Sequence, residues 1–344
     1  MKKLALLLLA ALPLLTGCGV SSPEKQAYLI CMALDYTDSG DVLLTAQLPQ
    51  SGQGASSGGA EGYALLATAG RSFAEALHRL ETGVPYPLNF SQLRLMIVSQ
   101  EMAAQIPLES LLRELLQKPL IRASATLAVS VGKASDVLQK QKPDLGMRIS
   151  KHVDTILTTL HIAGLVPSST LGDTARAFEE NRGDPLLCLC AVNPTKPLSS
   201  DAQDKPKSTQ EDMPAIALLD EGDTAGSSPM ASVNPVEFLG AAVTSQGRVV
   251  GVLSGREMQL CAMAMQDGQL RVALEGPQLQ VWLPAQLMKH ADELRTVIGR
   301  LQTLQSDALG FAQAAAGAFV LESEWDRYAF AAKYSQADVY IGVA

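Results

Sequence analysis

The sequence predicts an α+β (mixed α/β) protein with more than one domain, each a small, mostly antiparallel sheet packed with helices. Three observations predict it. Short apolar runs alternate with stretches whose apolar residues recur at helical spacing. Ala and Leu are abundant while aromatics make up only 5% of the 344 residues, a balance suited to helices laid on sheets. A polar segment rich in Pro, Ser and Gly separates two such sets of elements near residues 193–236.

The chain opens with MKKLALLLLAALPLLTGC. Lys2 and Lys3 precede the apolar run Leu4–Leu15, which is shorter than the ~20 apolar residues a spanning helix needs. It matches the ~7–15 apolar residues of an export signal. Leu15, Thr16 and Gly17 flank Cys18 as small or apolar residues flank a lipoprotein cleavage site. Residues 1–17 are therefore read as a signal peptide and Cys18 as the lipid attachment point. Two acyl chains on one sulfur give stable anchoring where one is marginal. The body is expected on the outer face of a membrane.

Strand signals follow at Tyr28–Leu34 and Val42–Leu48, joined by the turn Asp38-Ser39-Gly40-Asp41, which reads as a hairpin. Residues 49–62 are a Gly/Ser-rich loop. Tyr63–Ala69 is a short segment, and Ser72 then caps a helix through Glu81. Glu75 completes a capping box, and Phe73, Ala76, Leu77 and Leu80 form its apolar stripe. The near-continuous apolar run Leu93–Val98 reads as a strand covered on both faces.

Residues 101–117 are expected to form one helix ending before Pro119. A strand at Ser124–Val131, a turn at Gly132-Lys133 and a helix at Ala134–Gln139 come next. Helices over Lys151–Ala163 and Leu171–Glu180 lead to a strand at Leu186–Val192. In the polar segment after it, only Ala215–Leu219 has strand character. A structureless loop of that length inside one domain is improbable, so it is read as an exposed connection.

A second hairpin, Phe238–Val243 and Val249–Leu253, turns at Gln246-Gly247. Ser254 and Glu257 form another capping box for a helix through Met265. Strands at Gln269–Glu275 and Gln278–Leu283 meet at Gly276-Pro277. An amphipathic helix over Gln286–Leu304 carries Leu287, Leu294, Val297, Ile298 and Leu301 on its apolar face. A short helical piece holds Phe311, and the strand Asp338–Val343 closes the chain. The divisions are a signal at 1–17, an N-terminal region at 18–194 of two subdomains, a linker at 195–236 and a C-terminal α+β domain at 237–344.

Charge and reactive residues narrow the function. There are 27 basic and 35 acidic residues, and the net charge of −8 becomes −10 once Lys2 and Lys3 are removed. Attraction to nucleic acid or to anionic lipid is not expected from such a balance. Cys31, Cys188, Cys190 and Cys261 sit in apolar runs and read as small buried hydrophobes. Cys188 and Cys190 share one face of a strand, a poor geometry for a mutual disulfide.

His78, His152, His161 and His290 form no ligand-spaced pair, and no metal or other cofactor site is assigned. Asp35, Asp38 and Asp41 read as solvated turn acids rather than a calcium loop. Glu179-Glu180, Glu322 and Glu324 read as solvent-facing, and Trp282 and Trp325 as core or interface anchors. With no phosphate loop and no His-Glu-x-x-His, the chain is not read as an enzyme. No catalytic or ligand-binding residue is assigned.

Four ordered blocks carry a family resemblance. They are the signal with Cys18 followed by Ala27–Asp35; Thr68–Leu80 with Leu88–Ala103; Pro119–Leu138 with Arg122 and Gly132-Lys133-Ala134; and Leu239-Gly240-Ala241-Ala242-Val243 with Gly247, Val250-Gly251 and Leu253–Glu257. A fainter match lies at Leu304–Phe311 with Trp325. In this order the chain resembles the Ger(x)C family, the C-subunit lipoproteins of nutrient germinant receptors in spore-forming bacteria.

The resemblance implies a non-catalytic receptor subunit needed for spore germination. It implies assembly with the A and B membrane subunits and attachment to the spore inner membrane. The C-terminal region is shorter than the family's. The competing reading is a solute-binding lipoprotein of a nutrient importer, which requires two α/β lobes around a cleft.

Overall fold

The computed structural model describes residues 23–49, 63–142, 148–179, 184–194, 219, 222–227, 234–265, 271–275, 278–316 and 329–343. Cys18 with Leu15, Thr16 and Gly17, the loop 50–62, most of 195–233, and Glu180, Gly276, Pro277, Glu322, Glu324 and Trp325 lie outside these residues.

A short 3-10 turn, Pro23–Lys25, leads into β1 (Ala27–Tyr28), β2 (Cys31–Tyr36), β3 (Val42–Pro49) and β4 (Tyr63–Gly70). Helix α1 (Phe73–Thr82), β5 (Leu88–Asn89), β6 (Leu95–Ser99), α2 (Gln100–Gln105) and α3 (Leu108–Leu116) follow. Then come β7 (Thr126–Ser130), α4 (Ala134–Lys140), α5 (Ile149–Ile162), α6 (Leu171–Glu179) and β8 (Leu186–Val192). The second half holds β9 (Val236–Ser245), β10 (Arg248–Leu253), α7 (Gly255–Met265), β11 (Arg271–Glu275) and β12 (Gln278–Leu283). A 3-10 segment, Ala285–His290, precedes α8 (Ala291–Thr303), α9 (Phe311–Ala316), α10 (Phe330–Tyr334) and β13 (Asp338–Val343).

The mixed class holds. Eight strands form one sheet in the order β10-β9-β8-β7-β6-β2-β3-β4. Its centre, β8-β7-β6-β2, is parallel, and both flanks are antiparallel. The parallel strands are buried on both faces, which is why the run Leu93–Val98, most of it in β6, reads as near-continuously apolar. Alternation along β2 sends Met32 and Leu34 into one core with α1, α3 and α6, and Cys31 and Ala33 into another with α4 and α5. A second sheet, β11-β12-β13, packs with α7 and α8 around a third core that includes Leu287, Leu294, Val297, Ile298 and Leu301.

The sheet corrects the division drawn at 194 and 237. Hairpin β9-β10, assigned to the C-terminal domain, pairs with β8 and completes the first sheet. Every residue of β9 is buried, so β9 without β8 would expose an apolar strand edge. Its side chains reach all three cores: Leu239 and Ala242, Ala241 and Val243, and Val236 and Phe238. Gly240 makes this possible. Its φ is +82°, and a Cβ there would stand 2.3 Å from the Leu253 carbonyl oxygen. Only glycine adopts this backbone without strain at so close an approach.

Described residues of the expected linker also return to the body. Ala225 is buried, its N–H donates to Leu239 O, and Gly226 N–H donates to Glu237 Oε2 at 2.7 Å. Leu219 N–H donates to Gln259 Oε1. These contacts replace solvent exposure at those positions.

Two helix readings change. The expected helix 101–117 breaks at Ile106-Pro107, where Ile106 is extended (φ −105°, ψ 148°) as a residue before proline prefers. The break frees Leu108 N–H, which donates to Gly247 O in the β9-β10 turn. The helix expected from Gln286 begins as the 3-10 turn, and α8 proper starts at Ala291. Both capping boxes form helix starts. Ser72 Oγ accepts from Glu75 N–H, although Glu75 Oε2 reaches Arg71 N–H rather than Ser72. At α7 the exchange is reciprocal: Ser254 Oγ accepts from Glu257 N–H, and Ser254 N–H donates to Glu257 Oε2.

Candidate functional site

The residues that sequence analysis singles out do not converge. Cys18 and its flank lie before the first described residue, Pro23. Cys31, Cys188, Cys190 and Cys261 are completely buried in two strands, β2 and β8, and one helix, α7, within two cores. Burial pushes the Cys188 and Cys261 thiols up to about 12 and raises those of Cys31 and Cys190 as well. They pack as hydrophobes, since a reactive thiol needs a depressed pKa and access. Among the described residues, no cluster of His, Cys, Asp and Glu that suits a metal ion occurs.

Asp35 corrects its own reading as a solvated turn acid. It is buried, and its carboxylate accepts from Ala134 N–H at 2.7 Å and Ser135 N–H at 2.9 Å. The end of β2 thus caps α4 from across the sheet, satisfying two orphan donors of the helix start. Asp38 stays exposed, and Asp41 is half-buried in the turn. Trp282 is half-buried and lies along Gly342 of β13.

The best-formed concavity is apolar. It lies where the end of α5, the start of α6 and one side of α7 meet, and its volume is about 660 Å³. Val166, Pro167, Leu186, Met258, Ala262 and Met263 form much of its wall. Gly164, with φ +70°, turns the chain after α5 and lets it approach Ala262, whose Cβ would lie 3.1 Å from a Cβ at that position. Two exposed apolar side chains flank the cleft: Ile162 at 73% exposure and Met265 at 43%. Met258, Met263 and Met265 give this wall flexible, polarisable surface of the kind used by adaptable docking sites. Their clustering on one helix is the readable signal, and helical periodicity places Met258 and Met265 on one face.

The cleft runs into an acidic shelf. Asp173, Asp184 and Asp307 line the adjoining hollow, with Arg176 beside Asp173. Asp184 Oδ1 accepts from Gln246 N–H, and Oδ2 accepts from Asp307 N–H at 3.0 Å. Asp307 turns its own carboxylate onto the N–H groups of Phe311 and Ala312. Burial, with Asp184 adding to it, lifts Asp307 to about 7; burial also raises Asp184.

A second hollow is polar and internally neutralised. Arg256 Nε donates to Glu293 Oε2 at 2.7 Å, and Arg300 Nη1 donates to both oxygens of Glu257. Hydrogen bonds from Arg256 and then His290 hold Glu293 down to about 2. These pairs join α7 to α8 and complete the capping box of Glu257. The arrangement fastens helices rather than presenting unpaired charge.

Fold and site together define a mixed α/β protein whose prominent described surface feature is an apolar cleft with an acidic end. A family model described as the spore germination protein N-terminal domain matches residues 21–192. The chain belongs to this family, the Ger(x)C spore germination proteins, whose members are non-enzymatic subunits of germinant receptors. Membership implies association with other receptor subunits. The match ends at Val192, the last residue of β8, so the sheet extends beyond it through β9 and β10. The crystal structure of the GerBC protein is similar over 91% of this chain and 95% of that one, at 14% identity and a TM-score of 0.47. No curated protein matches the chain.

Proposed function

We propose that this protein is the lipid-anchored C subunit of a nutrient germinant receptor. It is held on the outer face of the spore inner membrane and assembles there with the A and B membrane subunits. The observation that carries this reading is the family match over residues 21–192, half of the chain. The signal-like start with Cys18 supports the anchor, and the apolar cleft beside Ile162 and Met265 supports docking of a partner subunit. The importer reading gains nothing from the fold, because β9 and β10 complete the eight-stranded sheet and the remaining C-terminal sheet has only three strands, where two α/β lobes would be needed.

Deleting the gene tests the role. Nutrient-triggered germination is expected to fail while growth and sporulation continue; a normal nutrient response without a redundant paralogue overturns the reading. Cys18→Ala tests the anchor. Labelling with a fatty acid is expected to tag the natural chain and miss the variant, and a tagged variant overturns the assignment of Cys18.

A further inference from the structure

A second surface with exposed apolar side chains lies where the described chain begins, on segments that pack on a different core from α5. Tyr86, at 44% exposure, and Leu120, at 68%, line one hollow with Pro85, Pro87 and Pro119. Both belong to segments framing the core under α1 and α3, whereas Ile162 ends α5 on the other face of the sheet.

Leu120 is held outward by a strained backbone. Ile121 N–H donates to Lys118 O, closing a turn with Pro119 second and Leu120 third. A proline-led turn with φ > 0 at the third position ordinarily takes glycine there. Leu120 occupies it at φ 59°. A bulky residue in this region is a strained outlier, and such strain persists where surrounding structure enforces it, often at working surfaces. Here it projects an apolar side chain into solvent.

The chain start lies at this edge. Gln26 lines the same hollow, and Ala27 N–H donates to Pro87 O at 2.9 Å, beside Tyr86. Four residues lie between Cys18 and Pro23, and the five steps along the chain reach at most ~18 Å when fully extended. A lipid on Cys18 therefore keeps this edge close to the bilayer surface.

We infer that Tyr86 and Leu120 form a wedge that enters the interfacial layer of the membrane and fixes the orientation of the tethered body. The inference rests on Cys18 being the tether. Its ligand is the lipid interface itself, where tyrosine rings are favoured and apolar side chains leave water. Charge does not drive it. Lys118 is offset by Glu81 in the lining of the hollow, Lys25 follows Glu24 in the chain, and the chain without residues 1–17 is acidic. Contact is therefore expected with zwitterionic lipid and at high salt.

The test uses tryptophan as a depth probe. Residues 18–344, carrying Trp282→Phe and Trp325→Phe, are coupled through the Cys18 thiol to maleimide-headgroup lipid in phosphatidylcholine vesicles. Chemical coupling makes the result independent of whether cells lipidate Cys18, which the labelling of Cys18→Ala decides separately. Leu120→Trp, Tyr86→Trp and Ile162→Trp are compared. With lipids brominated near the top of the acyl chains, emission from positions 120 and 86 is expected to fall by roughly half, as for a side chain seated at the headgroup–acyl boundary. Emission from position 162 is expected to stay unchanged. Unquenched emission at both 120 and 86, or equal quenching at 162, overturns the wedge and leaves that surface to a protein partner.

Discussion

The backbone N–H of Asp307 donates to the Asp184 carboxylate at 3.0 Å, while Asp307's own carboxylate accepts from the start of α9. One relay thus joins the entry to β8, the β9-β10 turn through Gln246, and the C-terminal unit. It spans the boundary that a linear reading places between domains. Two acids so close at a half-buried junction must respond to pH.

The direction can be worked out. Burial raises Asp307 from 3.8 to about 7, so the folded state holds this proton more tightly than the unfolded chain. Its contribution to stability is fully present below 3.8 and is lost as pH rises towards 7. Asp184 shifts in the same direction. Unfolding near pH 5.5 is therefore expected to release protons, and stability to fall with rising pH by at most ~1.4 kcal/mol per unit from Asp307. Calorimetry in buffers of different ionisation enthalpy measures the release. Asp307→Asn is expected to reduce it by up to one proton per molecule, and an unchanged release contradicts the assignment.

Glu293 acts oppositely and at lower pH. Hydrogen bonds from Arg256 and His290 lower it from 4.5 to about 2, so its contribution is present above 4.5 and is lost as pH falls towards 2. Glu293→Gln is expected to weaken acid sensitivity between pH 4 and 2 while leaving the decline near neutrality intact. Thermal melts of the two single variants and the double variant separate the effects. Equal pH profiles for Glu293→Gln and the natural chain would count against this role.

Asp35 is the test of the buried cap. Asp35→Ala leaves Ala134 N–H and Ser135 N–H without their acceptor, in a site where water is excluded. The expected loss is about 2–4 kcal/mol, the range of two orphaned donors partly relaxed. Asp35→Asn keeps one acceptor oxygen and is expected to lose less. Chemical denaturation measures both. A loss below about 0.5 kcal/mol for the alanine variant would mean that the cap is replaceable by water.

These residues also show what the sequence can express. Periodicity locates α1 and α8, because Phe73, Ala76, Leu77 and Leu80, and later Leu294, Val297, Ile298 and Leu301, repeat at helical spacing and are all buried. The capping box at Ser254-Glu257 is equally local. Asp35 is different: its partners lie 99 and 100 residues away, and a turn acid looks the same whether it faces water or a helix start. The continuity of the sheet was hidden for a related reason. Pairing of β8 with β9 spans a long polar segment, and composition reports that segment's polarity rather than where its ends meet. The cleft escapes notice because Met258 and Met265, seven residues apart, have the same spacing as core, although only Met258 is buried.

Gly240 gives a sharp stability prediction. Gly240→Ala places a methyl group 2.3 Å from the Leu253 carbonyl oxygen and forces a side chain into φ +82°. The backbone must shift, and Gly240 N–H would loosen its bond to Leu165 O. The left-handed term alone costs ~1–2 kcal/mol, and the clash adds to it. A loss of at least about 2 kcal/mol is expected by denaturation. Because β9 touches all three cores, the loss is expected to appear as one cooperative shift rather than as separate melting of a C-terminal unit. Two resolved transitions in the natural chain would restore the two-domain division.

The cleft yields the last prediction. Ile162 and Met265 flank it as exposed side chains outside the buried cores, so charged replacements disturb little of the folded body. Substitutions of this kind usually change stability by no more than ~0.5 kcal/mol. At a docked interface the same charge is desolvated opposite apolar surface, and truncation or burial penalties at a central anchor reach ~2 kcal/mol or more. Ile162→Asp combined with Met265→Asp is therefore expected to reduce co-purification of the membrane subunits by about tenfold or more while the thermal midpoint stays put. Val131→Asp serves as the control, since Val131 is similarly exposed, at 48%, and is not among the cleft's lining residues. If the control lowers assembly as much as the double variant, general surface polarity explains the loss. If neither lowers it, the subunits dock elsewhere. The acidic shelf of Asp173, Asp184 and Asp307 refines the expectation, because it favours a partner segment with apolar residues along one face and a basic residue at one end. Raising the salt concentration should then accelerate dissociation of the natural complex modestly, as expected of a charge at the rim of an apolar contact.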